Sequence, residues 1–139
     1  MRTIDVGITA FARMRRKDVI ECKIQSGDSI IGFASYGQTS YEDEYNSGIG
    51  CNGLTSARHD LLHKSYAEKY PESFDSNIPK ELVYCGPYKV TDEVEGLPLN
   101  IGKALLSSTR TFIPVIKTIF EKNRKNIHAI IHNTGGGLT

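Results

Sequence analysis

The prediction of the fold begins with residues 127–139, which read Ile-His-Ala-Ile-Ile-His-Asn-Thr-Gly-Gly-Gly-Leu-Thr. The β-branched, alternating run at 127–131 predicts a strand. The glycines after it allow positive φ angles and leave backbone N–H groups open to an anion, because no Cβ shields them. We therefore expect a phosphate- or substrate-binding loop at residues 134–137, with a flexible chain end as the alternative. Such a loop usually opens a helix, so we expect a truncated piece of a longer protein.

Three further strands are predicted upstream. Apolar and polar residues alternate partly over residues 4–13, and residues 19–24 could continue a hairpin. Residues 29–34 form the short apolar run that is typical of a buried strand.

Three helices are predicted after these strands. Asn52 is a potential N-cap for a helix that continues to about residue 70, where Pro71 ends it. A short helix is expected at residues 101–106. Residues 109–123 carry an apolar stripe and predict the third helix, provided that Pro114 lies in its first turn.

The remaining segments are predicted as loops. Residues 38–50 are polar, and their acidic run Glu42-Asp43-Glu44 is interpreted as solvated. Residues 72–99 are interpreted as an extended surface excursion. The order of elements predicts a mixed α/β (α+β) fold with helices packed on one mixed β-sheet. The length of 139 residues suits a single domain over residues 1–139.

Composition excludes several classes of protein. With 39% hydrophobic residues, 24% charged residues and a formal net charge of +1, the chain has the profile of a soluble globular protein. It lacks the basic excess that favours nucleic-acid binding and any apolar run long enough to cross a membrane. The first residues show no signal-peptide core. We therefore expect a cytoplasmic protein that binds neither nucleic acid nor membrane.

Metal binding is not predicted. Cys22, Cys51 and Cys85 are odd in number and widely spaced, so reduced thiols are expected rather than disulfides or a zinc site. His59 and His63 have the spacing of two ligands on one helix face, but Asp60 stands where a zinc protease has glutamate. We interpret both as exposed helix histidines.

Polar residues at predicted strand and helix ends are the candidate binding groups. Ser35 and Gly37 follow a predicted strand, at the edge where α/β sheets bind ligands; an ordinary exit into a loop is the alternative. Asn52 and Ser56 offer hydrogen bonds at a helix start, and Arg58 offers a charged fork. Helix capping and a solvated helix face are the alternatives.

Two further segments complete this set. Arg110 follows Thr109 at a predicted helix start, and its planar fork suits bidentate phosphate binding, with capping as the alternative for this polar segment. His132 follows the last predicted strand and could be a general acid, a general base or a phosphate ligand. A histidine that is merely exposed at a strand end is the alternative.

The order of these segments resembles a known family. Gly-x-Ala-Ser-x-Gly starts at residue 32, Asn-Gly-x-x-Ser-x-Arg at residue 52, and Leu-Leu-Ser-Ser-Thr-Arg-Thr-Phe at residue 105, before the run at 127–139. From about residue 6 to residue 139, the chain resembles the carboxyl-terminal domain of aminoimidazole ribonucleotide synthetase, also called phosphoribosylformylglycinamidine cyclo-ligase.

The resemblance implies a carboxyl-terminal-domain-like fold and an activity. Family members use ATP to activate the formyl oxygen of formylglycinamidine ribonucleotide. An internal amine then displaces phosphate, which gives aminoimidazole ribonucleotide, ADP and phosphate. His132 is the implied proton-transfer group. The implied substrate- and phosphate-binding residues are Ser35, Gly37, Asn52, Gly53, Ser56, Arg58, Thr109, Arg110, Thr134, Gly135, Gly136 and Gly137.

The resemblance also implies partners. ATP with Mg²⁺ is expected to bind mainly to an amino-terminal domain outside this chain, and the full-length form is expected to be a homodimer. The chain would then be an incomplete carboxyl-terminal domain, inactive alone. One alternative is another member of the same ATP-using superfamily, such as formylglycinamidine synthetase, selenophosphate synthetase or a hydrogenase maturation factor. A non-catalytic binding or assembly module is the other.

Overall fold

The computed structural model describes residues 6–133, and these fall into two compact units. The first unit is Ala34–Arg110, and the second is formed by residues 6–33 and 111–133. The strands and α-helices are β1 (Tyr36–Gly37), β2 (Asn46–Ser47), α1 (Gly50–Leu61), α2 (Ser65–Lys69), α3 (Ile101–Leu105) and α4 (Ile113–Asn123). Short 3-10 helices lie at Arg16–Asp18, Pro71–Ser73, Lys80–Leu82 and Arg124–Asn126. The single domain over residues 1–139 stays a prediction.

The core of the first unit comes from the end of α1, from α3 and from the segment between α2 and α3. Its buried side chains are Leu62, Val83, Tyr84, Ile101 and Leu105. Helix α1 packs an apolar face against them, and the residues of this face follow helical spacing. The residues of that face include Leu54, Ala57 and Leu61.

The single helix predicted from Asn52 to residue 70 is wrong, because the chain forms two helices there. Leu62 has an extended backbone, with φ −83° and ψ 144°, and it separates α1 from α2. The backbone at this break pairs with another segment: the His63 N–H donates to the Tyr88 carbonyl at 2.7 Å. The predicted end of the helical region before Pro71 is confirmed, since α2 ends two residues earlier.

The surface excursion predicted for residues 72–99 is wrong in part. Val83 and Tyr84 are only 2% and 3% exposed and belong to the core. Gly86 allows this close packing, because a Cβ at that position would overlap the backbone of Leu61. The buried apolar run is too short to show a period, so its burial could not be predicted from local pattern.

The sheet is smaller than predicted. β1 and β2 pair antiparallel, with Tyr36 opposite Ser47, and they are the only strands in residues 6–133. A mixed α/β content is therefore confirmed. β2 lies within residues 38–50, which the sequence predicted as a loop, so that prediction is wrong at β2.

The other predicted strands are not formed in the described part of the chain, and those predictions are wrong. A strand needs a neighbour to satisfy its backbone N–H and C=O groups. Between the predicted strand segments at the two ends of the chain, the described backbone bonds include only that from the Lys23 N–H to the His128 carbonyl, at 2.8 Å. Ile30 is 92% exposed, so its apolar run covers no core either. The segments concerned are residues 6–13, 19–24, 29–34 and 127–131.

The second unit contains α4. The predicted start at residue 109 is wrong, because α4 begins at Ile113; Pro114 lies in its first turn, as predicted. The rings of Phe33 and Phe112 are 5.5 Å apart at their centroids. An Arg124 side-chain N–H donates to the Asp18 carbonyl at 2.7 Å, which ties the end of the α4 region to an early turn.

Helix α3 confirms the short helix predicted at residues 101–106. Asn100 is its N-cap, and the Asn100 Oδ1 accepts a hydrogen bond from the Lys103 N–H at 2.9 Å. This bond satisfies one of the N–H groups that a helix leaves unpaired at its start.

Two further expectations can be compared with the structure. Cys22, Cys51 and Cys85 are all free and exposed, and the expectation of reduced thiols stays a prediction. Over residues 6–133, we find no helix with both the length and the apolar character needed to cross a membrane.

Candidate functional site

The predicted binding segments of the first unit meet around β1, β2 and the first turn of α1. The Asn46 side-chain amide donates to the Ser108 carbonyl at 2.9 Å, and the Ser47 N–H donates to the Ser107 hydroxyl at 3.1 Å. The Ser47 hydroxyl donates in turn to the Ala104 carbonyl at 2.7 Å. These bonds hold the segment that follows α3 against β2, more than fifty residues away in sequence.

Thr109 lies at the start of α1. Its Oγ1 accepts a hydrogen bond from the Cys51 N–H at 3.3 Å. A Cβ on Gly50, which has φ +59°, would lie 3.4 Å from the same oxygen. Thr109 therefore caps this helix from a distant part of the chain, since the preceding residue Ile49 has no side-chain cap bond.

Asn52 and Gly53 lie within the first turn of α1. The predicted role of Asn52 as N-cap is wrong, because the helix begins two residues before it. Its N–H belongs to the group that has no intrahelical carbonyl partner, and it lies at the positive end of the helix dipole. The Asn52 side chain is exposed. This turn can therefore offer hydrogen bonds to an anionic or polar ligand.

Ser56 and Arg58 lie further along α1 and do not share a face. Ser56 is one turn after Asn52, on the same side, and its hydroxyl donates to the Asp60 carboxylate at 3.0 Å. Arg58 is two residues later and therefore about 200° around the helix. Its side-chain Nε is buried, and the described residues provide no hydrogen-bond partner for it.

Arg110 makes the strongest contacts of this region. Its Nε and one terminal nitrogen donate to the two carboxylate oxygens of Glu42, at 2.7 and 2.6 Å. Its other terminal nitrogen donates to the carbonyls of Ala34 and Tyr36, at 3.0 and 2.7 Å. The fork that the sequence assigned to a phosphate therefore binds a carboxylate and two carbonyls in this structure.

The interpretation of Glu42 as a solvated loop residue is wrong. The side chains of Arg110 and Glu42 are only 7% and 15% exposed. The Arg110 hydrogen bonds, helped by two from Thr39, lower the pKa of the Glu42 carboxyl from 4.5 to about 2, and the carboxylate raises the pKa of Arg110. Two loops that are far apart in sequence had to meet to form this pair, so no local motif indicated it.

The chain is closely packed around Ser35, which directly precedes β1. A Cβ on Gly37, which has φ +108°, would lie 3.7 Å from the Arg110 guanidinium. A Cβ on Gly48, at φ +82°, would lie 3.1 Å from the Ser35 hydroxyl oxygen. Gly37 and the two residues that flank Ser35 therefore lie beside Arg110.

The interpretation of His59 as an exposed histidine is also wrong. His59 is 7% exposed and stacks on Tyr84, and burial lowers the pKa of its imidazole. His63, the other histidine of this pair, is exposed and lies within hydrogen-bond distance of Ser65. Among residues 6–133, no three histidine, cysteine or carboxylate side chains gather in a metal-binding group.

The last predicted site residues belong to the second unit or lie beyond the described chain. His132 is exposed, in a stretch without regular secondary structure. Thr134, Gly135, Gly136 and Gly137 lie outside the described residues. The binding and proton-transfer roles assigned to all of these residues stay predictions.

Comparison with known proteins shows which class of enzyme the chain is similar to. No protein-family model matches the chain. Several curated proteins do, and the three described here are ligases by name. The relative from Desulfotalea psychrophila is 31% identical over 115 residues, 83% of this chain. The relative from Carboxydothermus hydrogenoformans is 30% identical over 115 residues, and that from Thermoanaerobacter sp. is 29% identical over 126 residues, 90% of this chain.

All three relatives are named phosphoribosylformylglycinamidine cyclo-ligase. The resemblance stated from the sequence is therefore confirmed. The matched regions are 23%, 24% and 27% of the relatives from Desulfotalea, Carboxydothermus and Thermoanaerobacter, so the chain spans about a quarter of their length. A region of this size is consistent with one domain, such as the carboxyl-terminal one.

Proposed function

We propose that this chain is part of the carboxyl-terminal domain of a phosphoribosylformylglycinamidine cyclo-ligase and contributes to its ribonucleotide-binding site. The observation that carries the proposal is the convergence of the segments at 34–37, 50–53 and 107–110 around the first turn of α1. The order of these segments is what resembles the family. The relatives of the chain also carry the name of this enzyme.

The chemistry of this region suits an anionic, hydroxyl-rich substrate. A helix start provides N–H donors and a positive dipole for a phosphate. The exposed Asn52, Ser35 and Ser56 add hydrogen-bonding side chains that a ribose or an amidine could engage. In this proposal His132 moves a proton during ring closure, and Thr134 to Gly137 add backbone N–H groups.

The reaction proposed for the whole protein is the ring closure of formylglycinamidine ribonucleotide. The ATP γ-phosphoryl group is transferred to the formyl oxygen, and the amidine nitrogen attacks the formyl carbon. The C–O bond then breaks, and phosphate leaves with that oxygen. Because the chain resembles only the carboxyl-terminal domain of the family, we propose that Mg²⁺–ATP binds mainly to parts of the protein outside this chain. We also propose a homodimer for the full-length form.

The test is an assay of the full-length protein that contains this chain. With formylglycinamidine ribonucleotide and Mg²⁺–ATP, mass spectrometry should detect aminoimidazole ribonucleotide, ADP and phosphate, and the isolated chain should give none. A product of another ATP-dependent reaction would favour a different member of the superfamily. Absence of any reaction by the full-length protein would favour a binding or assembly module.

A variant pair tests the part played by α1. Asn52→Ala should weaken binding of the ribonucleotide by about tenfold, because a side-chain hydrogen bond to a ligand is lost. Asn77→Ala is the matched control, since Asn77 is also exposed and lies in the same unit, but outside the segments whose order resembles the family. Equal behaviour of both variants would remove Asn52 from the site.

A further inference from the structure

We propose that Glu42 is a positioning residue. It binds the Arg110 guanidinium and keeps it in a structural role, in which Arg110 stabilises the loop around Ser35 and does not bind a phosphate. This inference rests on the proposed function. It names a residue that the sequence motifs do not include, and it changes the role expected for Arg110. Its basis is the set of contacts that joins Glu42, Arg110 and the residues around Ser35.

Four of the five N–H donors of Arg110 are already engaged. Each of its three side-chain nitrogens donates at least one hydrogen bond of 3.0 Å or less, two to Glu42 and two to backbone carbonyls. A bidentate arginine–carboxylate pair is among the strongest side-chain interactions, and the low exposure of both side chains limits competition from water. A phosphate could take the fork only if Glu42 gave it up.

The same contacts fix the backbone on both sides of Ser35. One nitrogen of Arg110 holds the carbonyls of Ala34 and Tyr36, which flank Ser35 directly. The following Gly37 has a left-handed backbone next to this guanidinium. The Ser35 hydroxyl is therefore presented by a loop whose shape is set by the arginine before any ligand binds, which reduces the cost of ordering it.

Glu42 is itself held by hydrogen bonds within its own loop. Its Oε2 accepts hydrogen bonds from the Thr39 N–H at 2.6 Å and from the Thr39 hydroxyl at 3.0 Å. The carboxylate thus connects the turn after β1 to Arg110. Removing its charge would release the arginine and loosen the loop around Ser35.

The two roles of Arg110 predict opposite effects of Glu42→Gln. If Glu42 positions the loop, this variant should raise the KM for formylglycinamidine ribonucleotide at least about tenfold, because misplaced binding groups are costly, with the KM for ATP unchanged. If Arg110 is a phosphate ligand that Glu42 restrains, the variant should bind the ribonucleotide more tightly. Tighter or unchanged binding would overturn the proposal.

Two variants control the experiment in the full-length protein. Glu44→Gln removes a carboxylate of the same acidic run, but Glu44 is 67% exposed and pairs only with Lys103 in the described contacts, so kinetics should stay unchanged. Arg110→Lys keeps the charge without the fork. It should be as impaired as Glu42→Gln; kinetics like the wild type would show that charge alone suffices and would overturn the proposal.

Two further measurements keep the test decisive. Thr39→Val removes a single bond to Glu42 and leaves the ion pair, so it should raise the ribonucleotide KM in the same direction but less, even if Glu42→Gln does not fold. Amide spectra of the ¹⁵N-labelled full-length protein are independent of turnover: Glu42→Gln, or Thr39→Val in its place, should shift Ser35, Tyr36 and Gly37, and Glu44→Gln should not. Unshifted amides would refute the positioning role, whereas an inactive wild type would refute only the proposed function.

Discussion

The imidazole of His59 stacks on the ring of Tyr84 with centroids 4.8 Å apart, and its Nδ1 accepts a hydrogen bond from the Tyr84 N–H at 3.3 Å. Tyr84 has a left-handed backbone, with φ +47°, which is costly for a residue with a large side chain. The histidine therefore helps to hold the backbone of a core residue in an unfavourable conformation. This arrangement requires the neutral imidazole, because a proton on Nδ1 would face another donor.

The first prediction is a loss of stability at mildly acidic pH. Burial, with a contribution from Arg58, lowers the pKa of folded His59 below its ordinary 6.5. The unfolded chain then binds the proton more readily, so the stabilisation is complete above pH 6.5 and is lost as the pH falls from 6.5 through the lower folded value. Chemical unfolding at a series of pH values measures this. His59→Gln should flatten the dependence in that range, whereas the exposed His63→Gln should keep it; equal slopes for both variants would contradict the prediction.

The second prediction concerns the titration of Glu42. Its carboxyl should titrate near pH 2 instead of 4.5, because Arg110 and Thr39 donate to the charged form. The stabilisation from this pair is therefore present above pH 4.5 and is lost as the pH falls through about 2. Carboxyl ¹³C shifts follow the titration. Arg110→Gln should move the midpoint back toward 4.5, and a midpoint near 4.5 in the unaltered protein would show that the pair does not persist in solution.

The third prediction tests the unexpected core contribution of residues 72–99. Val83→Ala should reduce the free energy of unfolding by about 2 kcal/mol, because two buried methyl groups are lost and a cavity remains. Its neighbour Leu82 is 55% exposed, so Leu82→Ala should cost less than about 0.5 kcal/mol. Urea unfolding of the two variants gives the comparison, and equal costs would place Val83 outside the core.

Several motifs singled out in the sequence lie together in the first unit, whereas most of the predicted strands do not form; the binding roles of the motif residues stay predictions. The groups around Thr109 and Arg110 could be found because hydrogen-bonding residues stand in short, ordered motifs. Glu42 could not, since its partner lies 68 residues away and its own neighbours are acidic and polar. Its role depends on which loops meet, and that is a tertiary property.

The errors in secondary structure have the same cause. The alternation at residues 127–131 indicates side chains that suit a pleated, half-buried surface. A strand also needs a neighbouring strand to pair with, and the local sequence does not show whether one is present. Helix α1 was found because its apolar face needs only its own spacing. Its early end at Leu61 was missed, because the segment around Gly86 competes for the backbone there.

The last prediction separates the structural role of Thr109 from its proposed role in binding. Thr109→Val removes the oxygen that accepts from the Cys51 N–H, so the first turn of α1 should lose about 1 kcal/mol of local stability, as for other capping residues. Thr109→Ser keeps the oxygen and should retain most of it. Hydrogen exchange of the Cys51 amide measures this directly, and it should be about fivefold faster in the valine variant. If its exchange is the same in the valine and serine variants, the cap does not form in solution, and any loss of ribonucleotide binding in Thr109→Val must then come from the threonine contacting the ligand.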